Sequence, residues 1–319
     1  MNIPVIKELN LSLVGPGSVA RFWVHIVSSG TAQPILVPVM VARGLKDGPI
    51  LGITAAVHGN ELNGLPVVQK VFQQVDVPNL RGILVGVPVV NVPGFLLNQR
   101  KFNDDQDLNR IMPGDAEGNT SEVYAHRILK KIVRHFEFLI DLHTASFGRV
   151  NSYYIRADMN HPVTSRMAQL QNADIIVNNA GKDGTLRNAA YERGIHAITV
   201  EAGDPHKLQR GMIKSALTGT LNVMSYLDMI DDPIVEPEEP GIYCSHSYWM
   251  YTTAGGVLEI GPKITDMVKQ GQRIAIVRNI FGDIIREYHA PEDGIVIGRS
   301  INPVNQTGGR ILHLGILPK

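Results

Sequence analysis

The spacing of apolar residues changes character along the chain. Residues 18–27 and 34–41 are rich in valine, isoleucine and aromatics and read as strands, and 44–48, with its Lys46-Asp47-Gly48, reads as a turn. Residues 50–57 form a short, nearly continuous apolar run, as expected of a central strand buried on both faces. Leu62, Leu65, Val68 and Phe72 then recur at helical intervals within 61–75. A second buried strand is expected over 81–90. A helix is expected over 120–136, with Thr120 and Ser121 as candidate caps, followed by a strand over 138–142. Helices at 163–171, 186–193 and 207–229 alternate with strands at 173–177 and 196–200. The alternation predicts an α/β fold, a mixed and largely parallel sheet with helices on both faces.

The pattern breaks near Asp231. The stretch Asp-Asp-Pro-Ile-Val-Glu-Pro-Glu-Glu-Pro (231–240) is acidic and proline-rich, which is linker composition. Beyond it, glycine-punctuated runs such as 273–277 and 294–297 predict short strands and turns without helix. Two domains are expected: an α/β domain over 1–232, opening with a β segment over 1–45, and a small all-β domain over 236–319.

Composition narrows the function. Across 319 residues, 30 Lys+Arg balance 30 Asp+Glu, which argues against a bulk nucleic-acid or anionic-membrane binder. Cys244 is the single cysteine, so an intrachain disulfide and a cysteine-cluster metal site are excluded. The N-terminus shows no basic-then-apolar leader, and no apolar run approaches the roughly 18–20 residues of a membrane span. A cytoplasmic protein is expected. With 11 histidines and 30 acids available, chemistry rests on imidazole and carboxylate.

Four short motifs carry that chemistry. The apolar run 50–57 ends in His58-Gly59-Asn60-Glu61, placing a histidine and a carboxylate where open α/β sheets bind ligands. Both are good zinc donors, and Gly59 permits a tight turn between them. A second apolar strand, 138–142, ends in His143-Thr144, with Asp141 on the same face by period two and so a partner for the His143 ring. Asp107-Leu108-Asn109-Arg110, with Arg100 upstream, offers guanidinium and amide groups suited to a carboxylate or carbonyl. Glu201, before Ala202-Gly203, ends a fourth apolar strand, where an acid is rare unless paired or functional.

In order and residue type these motifs resemble the succinylglutamate desuccinylase/aspartoacylase family, which is similar in fold to the zinc carboxypeptidases; the resemblance covers most of residues 45–230. It implies that His58, Glu61 and His143 bind one Zn²⁺ per chain, a donor set that Mn, Co or Fe also accept. It further implies that Glu201 is the general base and that Arg100 polarises the scissile carbonyl. Asn109, Arg110 and Thr144 would contact substrate, and Arg187 or Arg193 would read its side chain. The implied activity is deacylation of an N-acyl amino acid or related small carboxylated amide, with no nucleic-acid or membrane partner and a homo-oligomer allowed. Two other readings share the sequence: a metallocarboxypeptidase on short peptides, and a non-enzymatic binding module built on the tail. The tail, through Gly256-Val-Leu-Glu, 264–272 and 288–296, resembles the barrel-sandwich fold of biotinyl and lipoyl carrier domains. The stretch at the carrier's modification point, Arg278-Asn-Ile-Phe-Gly-Asp283, has no lysine, which argues against carriage.

Overall fold

The computed structural model describes residues 3–146 and 148–318. Its largest element is a ten-stranded sheet. From edge to edge the strands are Val5–Ile6, Ser18–Ser28, Pro34–Arg43, Arg81–Val87, Lys46–Ala55, Phe138–His143, His196–Glu201, Tyr154–Ala157, Ile175–Asn178 and Ile242–Cys244. The four central strands run parallel, and Pro34–Arg43 and Tyr154–Ala157 flank them antiparallel. The fold is therefore the mixed, largely parallel α/β arrangement that the alternating pattern predicts.

Central strands are apolar throughout because both faces are covered. Helices Thr120–Lys131 and Leu186–Tyr191 pack their Ile128, Leu129, Leu186 and Ala189 against one face. Helices Gly64–Gln74, Pro162–Gln169 and Arg210–Tyr226 cover the other with Val67, Val71, Met167, Ala216 and Val223. The helix predicted over 120–136 is capped by Asn119 rather than Thr120 or Ser121. The Asn119 side chain accepts from the Glu122 amide, and Glu122 answers at the Asn119 amide. It ends at Lys131, and a single 3₁₀ turn, Val133–His135, follows.

The turn expected at 44–48 is shorter than predicted. Lys46, Asp47 and Gly48 already belong to the strand Lys46–Ala55, because an irregularity between the Lys46 and Ile50 pairings accommodates them against Arg81–Val87. That partner strand stops at Val87, short of residue 90. Asn91 then caps a short helix, Val92–Leu96.

Past residue 245 the described residues form strands only, in two antiparallel sheets. One contains His246–Tyr251, Arg310–Ile316, Gly294–Ser300 and Met267–Val268; the other contains Ile284–His289, Arg273–Arg278, Gly256–Ile260 and Val304–Asn305. Leu258, Ile274, Val277, Val296 and Leu314 fill the space between them. Two strands cross the seam with the large sheet. Ile242–Cys244, beyond the linker, pairs with Ile175–Asn178, and Arg149–Asn151 pairs with Gly294–Ser300. Tyr154, Ile175, Val177, Cys244, Ile295 and Ile297 share one apolar cluster there.

Candidate active site and its metal-ligand set

Neighbouring parallel strands end on the same side of the sheet. Lys46–Ala55 runs into Ala56, whose φ of 50° bends the chain before His58. Phe138–His143 delivers His143, and Glu201 sits opposite it in the register of His196–Glu201. Three strand exits thus converge through sheet order alone. Gly59 has a different role from the tight turn expected of it. A Cβ there would lie 2.0 Å from the Gly94 carbonyl carbon and 2.1 Å from the Phe95 nitrogen, so the residue allows another backbone to approach closely.

His58, Glu61 and His143 are buried and face one point. Glu61 reaches His58 Nδ1 with Oε1 at 2.8 Å and His143 Nδ1 with Oε2 at 2.9 Å; the two Nδ1 atoms are 3.2 Å apart. Each ring engages a carboxylate through its other nitrogen. His58 Nε2 is 3.0 Å from Asp107 Oδ1, and His143 Nε2 is 2.8 Å from Asp141 Oδ2. Asp141 is fixed in turn by the Thr54 hydroxyl at 2.6 Å. A carboxylate on Nε2 favours a hydrogen there and leaves the Nδ1 lone pair facing inward, the arrangement that orients metal-binding histidines. Two inward lone pairs beside a carboxylate suit a divalent cation. All three donor atoms lie within 4.8 Å of one another, so the donor set fits one ion.

The local field agrees. Burial alone would raise the pKa of Glu61, but His58 and His143 outweigh it and hold the carboxyl well below the usual range. Asp107 is likewise held low, against its burial, by His58 and Arg100. Burial opposes protonation of His143, yet Asp141 and Glu61 on either side draw positive charge to the ring and raise its pKa well above the ordinary value. The same field attracts a metal cation.

The other predicted residues divide into two groups. Arg100 donates through Nη1 to Glu61 at 2.9 Å, through Nη2 to Asp107 at 2.9 Å, and to the Ser146 hydroxyl. Asn109 accepts the Leu186 amide on Oδ1 at 2.8 Å, and Arg110 donates to the Asn109 carbonyl at 2.7 Å. The Thr144 amide donates to Glu61 at 3.1 Å, while its hydroxyl turns to the Ala145 carbonyl. Asn151 approaches Glu201 Oε2 at 3.4 Å. All of these line one cavity of about 740 Å³ beside the metal-ligand cluster. Arg187 also borders it, but its donors are engaged by Asn179 and by Asp183 at 2.8 Å. Arg193 lies elsewhere, in a pocket with Arg134 and Glu137.

Sequence reading missed two sets of cavity residues. Asp107 stood inside a quoted motif, but its task of holding His58 and Arg100 together shows only in three dimensions. Tyr248, Trp249, Tyr251, Arg310 and His313 come from the tail, and nothing local in their sequence marks them as cavity residues.

Residues 47–227 match the description of the succinylglutamate desuccinylase/aspartoacylase catalytic domain. The chain is 24% identical over 279 residues to the N-alpha-acetyl-L-2,4-diaminobutyric acid deacetylase of Halomonas elongata, covering 83% of this chain and 81% of that one. Among solved structures, it superposes on the product-bound ectoine utilization protein EutE (DoeB) of Ruegeria pomeroyi. The TM-score is 0.85 at 20% identity, over 93% of this chain and 95% of that one. The succinylglutamate desuccinylase/aspartoacylase of Rhodobacter sphaeroides superposes with TM-score 0.83 at 18% identity, again over 93% and 95% of the two chains. With more than half its length matched to the catalytic-domain description, the chain belongs to the succinylglutamate desuccinylase/aspartoacylase family.

Proposed function

We propose that the protein is a zinc-dependent hydrolase that cleaves the amide bond of a small N-acyl amino acid. The observation that carries this reading is the convergence of His58, Glu61 and His143 at one wall of the cavity, with Glu201 beside His143 and Asn109 and Arg110 in the same space. The Halomonas relative's printed substrate, an N-acetylated amino acid, supports the substrate class.

His58, Glu61 and His143 would hold the zinc, which when bound supplies Lewis acidity toward a carbonyl and lowers the pKa of water. The chain's own residues do the rest. Asn109 and Arg110 take the substrate carboxylate; the Asn109 oxygen is already committed to the Leu186 amide, so its NH₂ is the group that serves. Arg100 stabilises the charge that develops on the carbonyl oxygen when water attacks. Glu201 accepts the proton from the attacking water and delivers it to the leaving nitrogen as the C–N bond breaks, yielding a carboxylic acid and a free amine. Asp107 and Asp141 hold the two histidine rings in place throughout.

The test is metal analysis of the purified chain together with a panel of N-acetyl, N-succinyl and peptidyl amino acids. We expect one divalent ion per chain, hydrolysis of acyl over peptidyl substrates, loss of turnover on chelation and recovery with zinc. His143→Ala should lose the ion. A chain that binds no metal and opens no amide would overturn the reading; preference for peptides would replace it with a carboxypeptidase.

A further inference from the structure

Six arginines border the cavity against four carboxylates: Arg100, Arg110, Arg149, Arg156, Arg187 and Arg310 face Glu61, Asp107, Asp183 and Glu201. Their hydrogen-bond donors are unequally used. Arg100 and Arg187 are tied to acids. Arg149, Arg156 and Arg310 form no ion pair among the described residues. Arg156 donates through Nε and Nη2 only to the Tyr154 hydroxyl, at 3.2 and 3.1 Å. Arg149 and Arg310 are held instead by the Trp249 ring, at 5.2 and 5.7 Å from its centroid, and Arg310 also by Tyr251 at 5.8 Å. A cation–π contact positions a guanidinium without consuming its N–H donors. The donors that remain suit an anion, and guanidinium recognises carboxylates in bidentate fashion.

A second observation comes from His313 in the same wall. It is 2% exposed, stacks on Trp249 at 5.1 Å, and receives Ser247 at Nε2 at 2.9 Å, while its buried Nδ1 has no partner. Burial and the nearby Arg156 and Arg149 hold its pKa well below the usual histidine value, so the ring is neutral. If the Ser247 hydroxyl donates to Nε2, Nδ1 carries a hydrogen and needs an acceptor.

We propose that Arg149, Arg156, Arg310 and His313 form a second anion subsite, built across the seam between the large sheet and the tail. It takes a carboxylate that the substrate bears in addition to the one held by Asn109 and Arg110. This inference rests on the deacylase reading and specifies its substrate as a dicarboxylic N-acyl amino acid, acidic in the acyl or the amino-acid part. It separates this chain from its Halomonas relative, whose printed substrate is an acetylated diamino acid. A wall of unpaired arginines repels the free ammonium of such a compound.

Two measurements on the full-length, metal-loaded protein test the proposal. In the first, calorimetry compares succinate with butyrate, which differ by one carboxylate. Succinate should bind at least about tenfold more tightly, the scale of a charged hydrogen-bonded contact. Arg310→Gln should erase most of that difference, and Arg310→Lys should keep part of it. Arg310 is exposed and makes no hydrogen bond among the described residues, so its replacement should leave the melting temperature unchanged. In the second, kcat/KM is compared for N-succinyl against N-butyryl and for N-acetylaspartyl against N-acetylasparaginyl substrates. A preference of about tenfold or more for one acidic member, seated mainly in KM and reduced by Arg310→Gln, is expected. Equal binding of succinate and butyrate, or a preference that Arg310→Gln leaves intact, would overturn the subsite. Amide hydrolysis without acidic preference refutes the subsite alone. Tight succinate binding sensitive to Arg310, with no amide hydrolysed, refutes the deacylase reading and leaves the subsite standing.

Discussion

Glu201 illustrates how a single residue's surroundings define its task. Burial, reinforced by the Glu61 carboxylate, outweighs the pull of His143 and Arg156 and raises its pKa above the ordinary glutamate value. A carboxyl in that position is a stronger base than an exposed one, which suits proton transfer from water. Glu201→Gln keeps the shape and removes the base. We expect metal content and melting temperature close to those of the parent, and turnover lower by roughly 10²–10⁴-fold. Near-normal turnover in a folded, metal-loaded variant would assign Glu201 a structural role only. His313 makes a separate prediction for stability. Its pKa is depressed in the folded chain by burial and by Arg156 and Arg149, with the Tyr154 ring also against it. The unfolded chain therefore binds the proton more readily, and the stability due to neutral His313 is complete above the ordinary value of 6.5 and lost as pH falls below it. His313→Gln should flatten the decline of melting temperature between about pH 7 and pH 5. An unchanged pH profile would show that His313 does not titrate on unfolding.

At the scale of elements, the site depends on how closely three chain segments approach. The turn after Lys46–Ala55 must pass beside the helix Val92–Leu96, and the contact at Gly59 leaves no room for a methyl group. Gly59→Ala should push these backbones apart and carry His58 and Glu61 with them. Overpacking of this kind costs about 1–3 kcal/mol. A lower melting temperature with a substoichiometric metal content is the expected pair of readings. A variant that melts early but binds metal fully would separate the packing from the site. Asn63 and Gln209 anchor the opposite flank: the Asn63 side chain donates to the Ala202 carbonyl at 2.8 Å and accepts the Gln209 amide at 2.8 Å. The helix Gly64–Gln74 is thereby tied to the exit of the Glu201 strand.

For the molecule as a whole, the tail is a wall of the cavity as well as an addition to the sheet. Ile242–Cys244 covers the edge of Ile175–Asn178, and Gly294–Ser300 covers Arg149–Asn151. A chain cut after residue 235 would expose both edges together with the Tyr154, Ile175 and Val177 side chains. We expect that fragment to lose a cooperative melt, to bind hydrophobic dyes and to aggregate. A cooperatively melting, metal-binding fragment would show instead that the large sheet is self-sufficient and that the tail acts on substrate alone. The hairpin tip at 279–283 bears Ile280 and Phe281, 84% and 89% exposed, and no lysine.

Much of the fold and the metal-ligand set was legible in the sequence for one physical reason: the information is local. An apolar run covered on both faces announces a parallel strand, and an open parallel sheet presents its strand exits on one side. Histidines and acids at the ends of 50–57, 138–142 and 196–200 were thus bound to meet once the strands lay together. The His-Gly-Asn-Glu and Asp-Leu-Asn-Arg motifs carried the family with them. The boundaries were less legible, because a cap such as Asn119 or an irregularity at Lys46 depends on which neighbour satisfies the backbone. Only tertiary structure decided which arginines remain free. Arg187 has the same chemistry in sequence as Arg310, but Asp183 and Asn179 occupy its donors, whereas Arg310 is held by aromatic rings that leave its own unused. The tail's entry into the cavity was equally invisible. Trp249 and His313 lie 48 and 112 residues beyond Glu201, and a contact at such a separation is set by sheet packing across the seam, which no local pattern records.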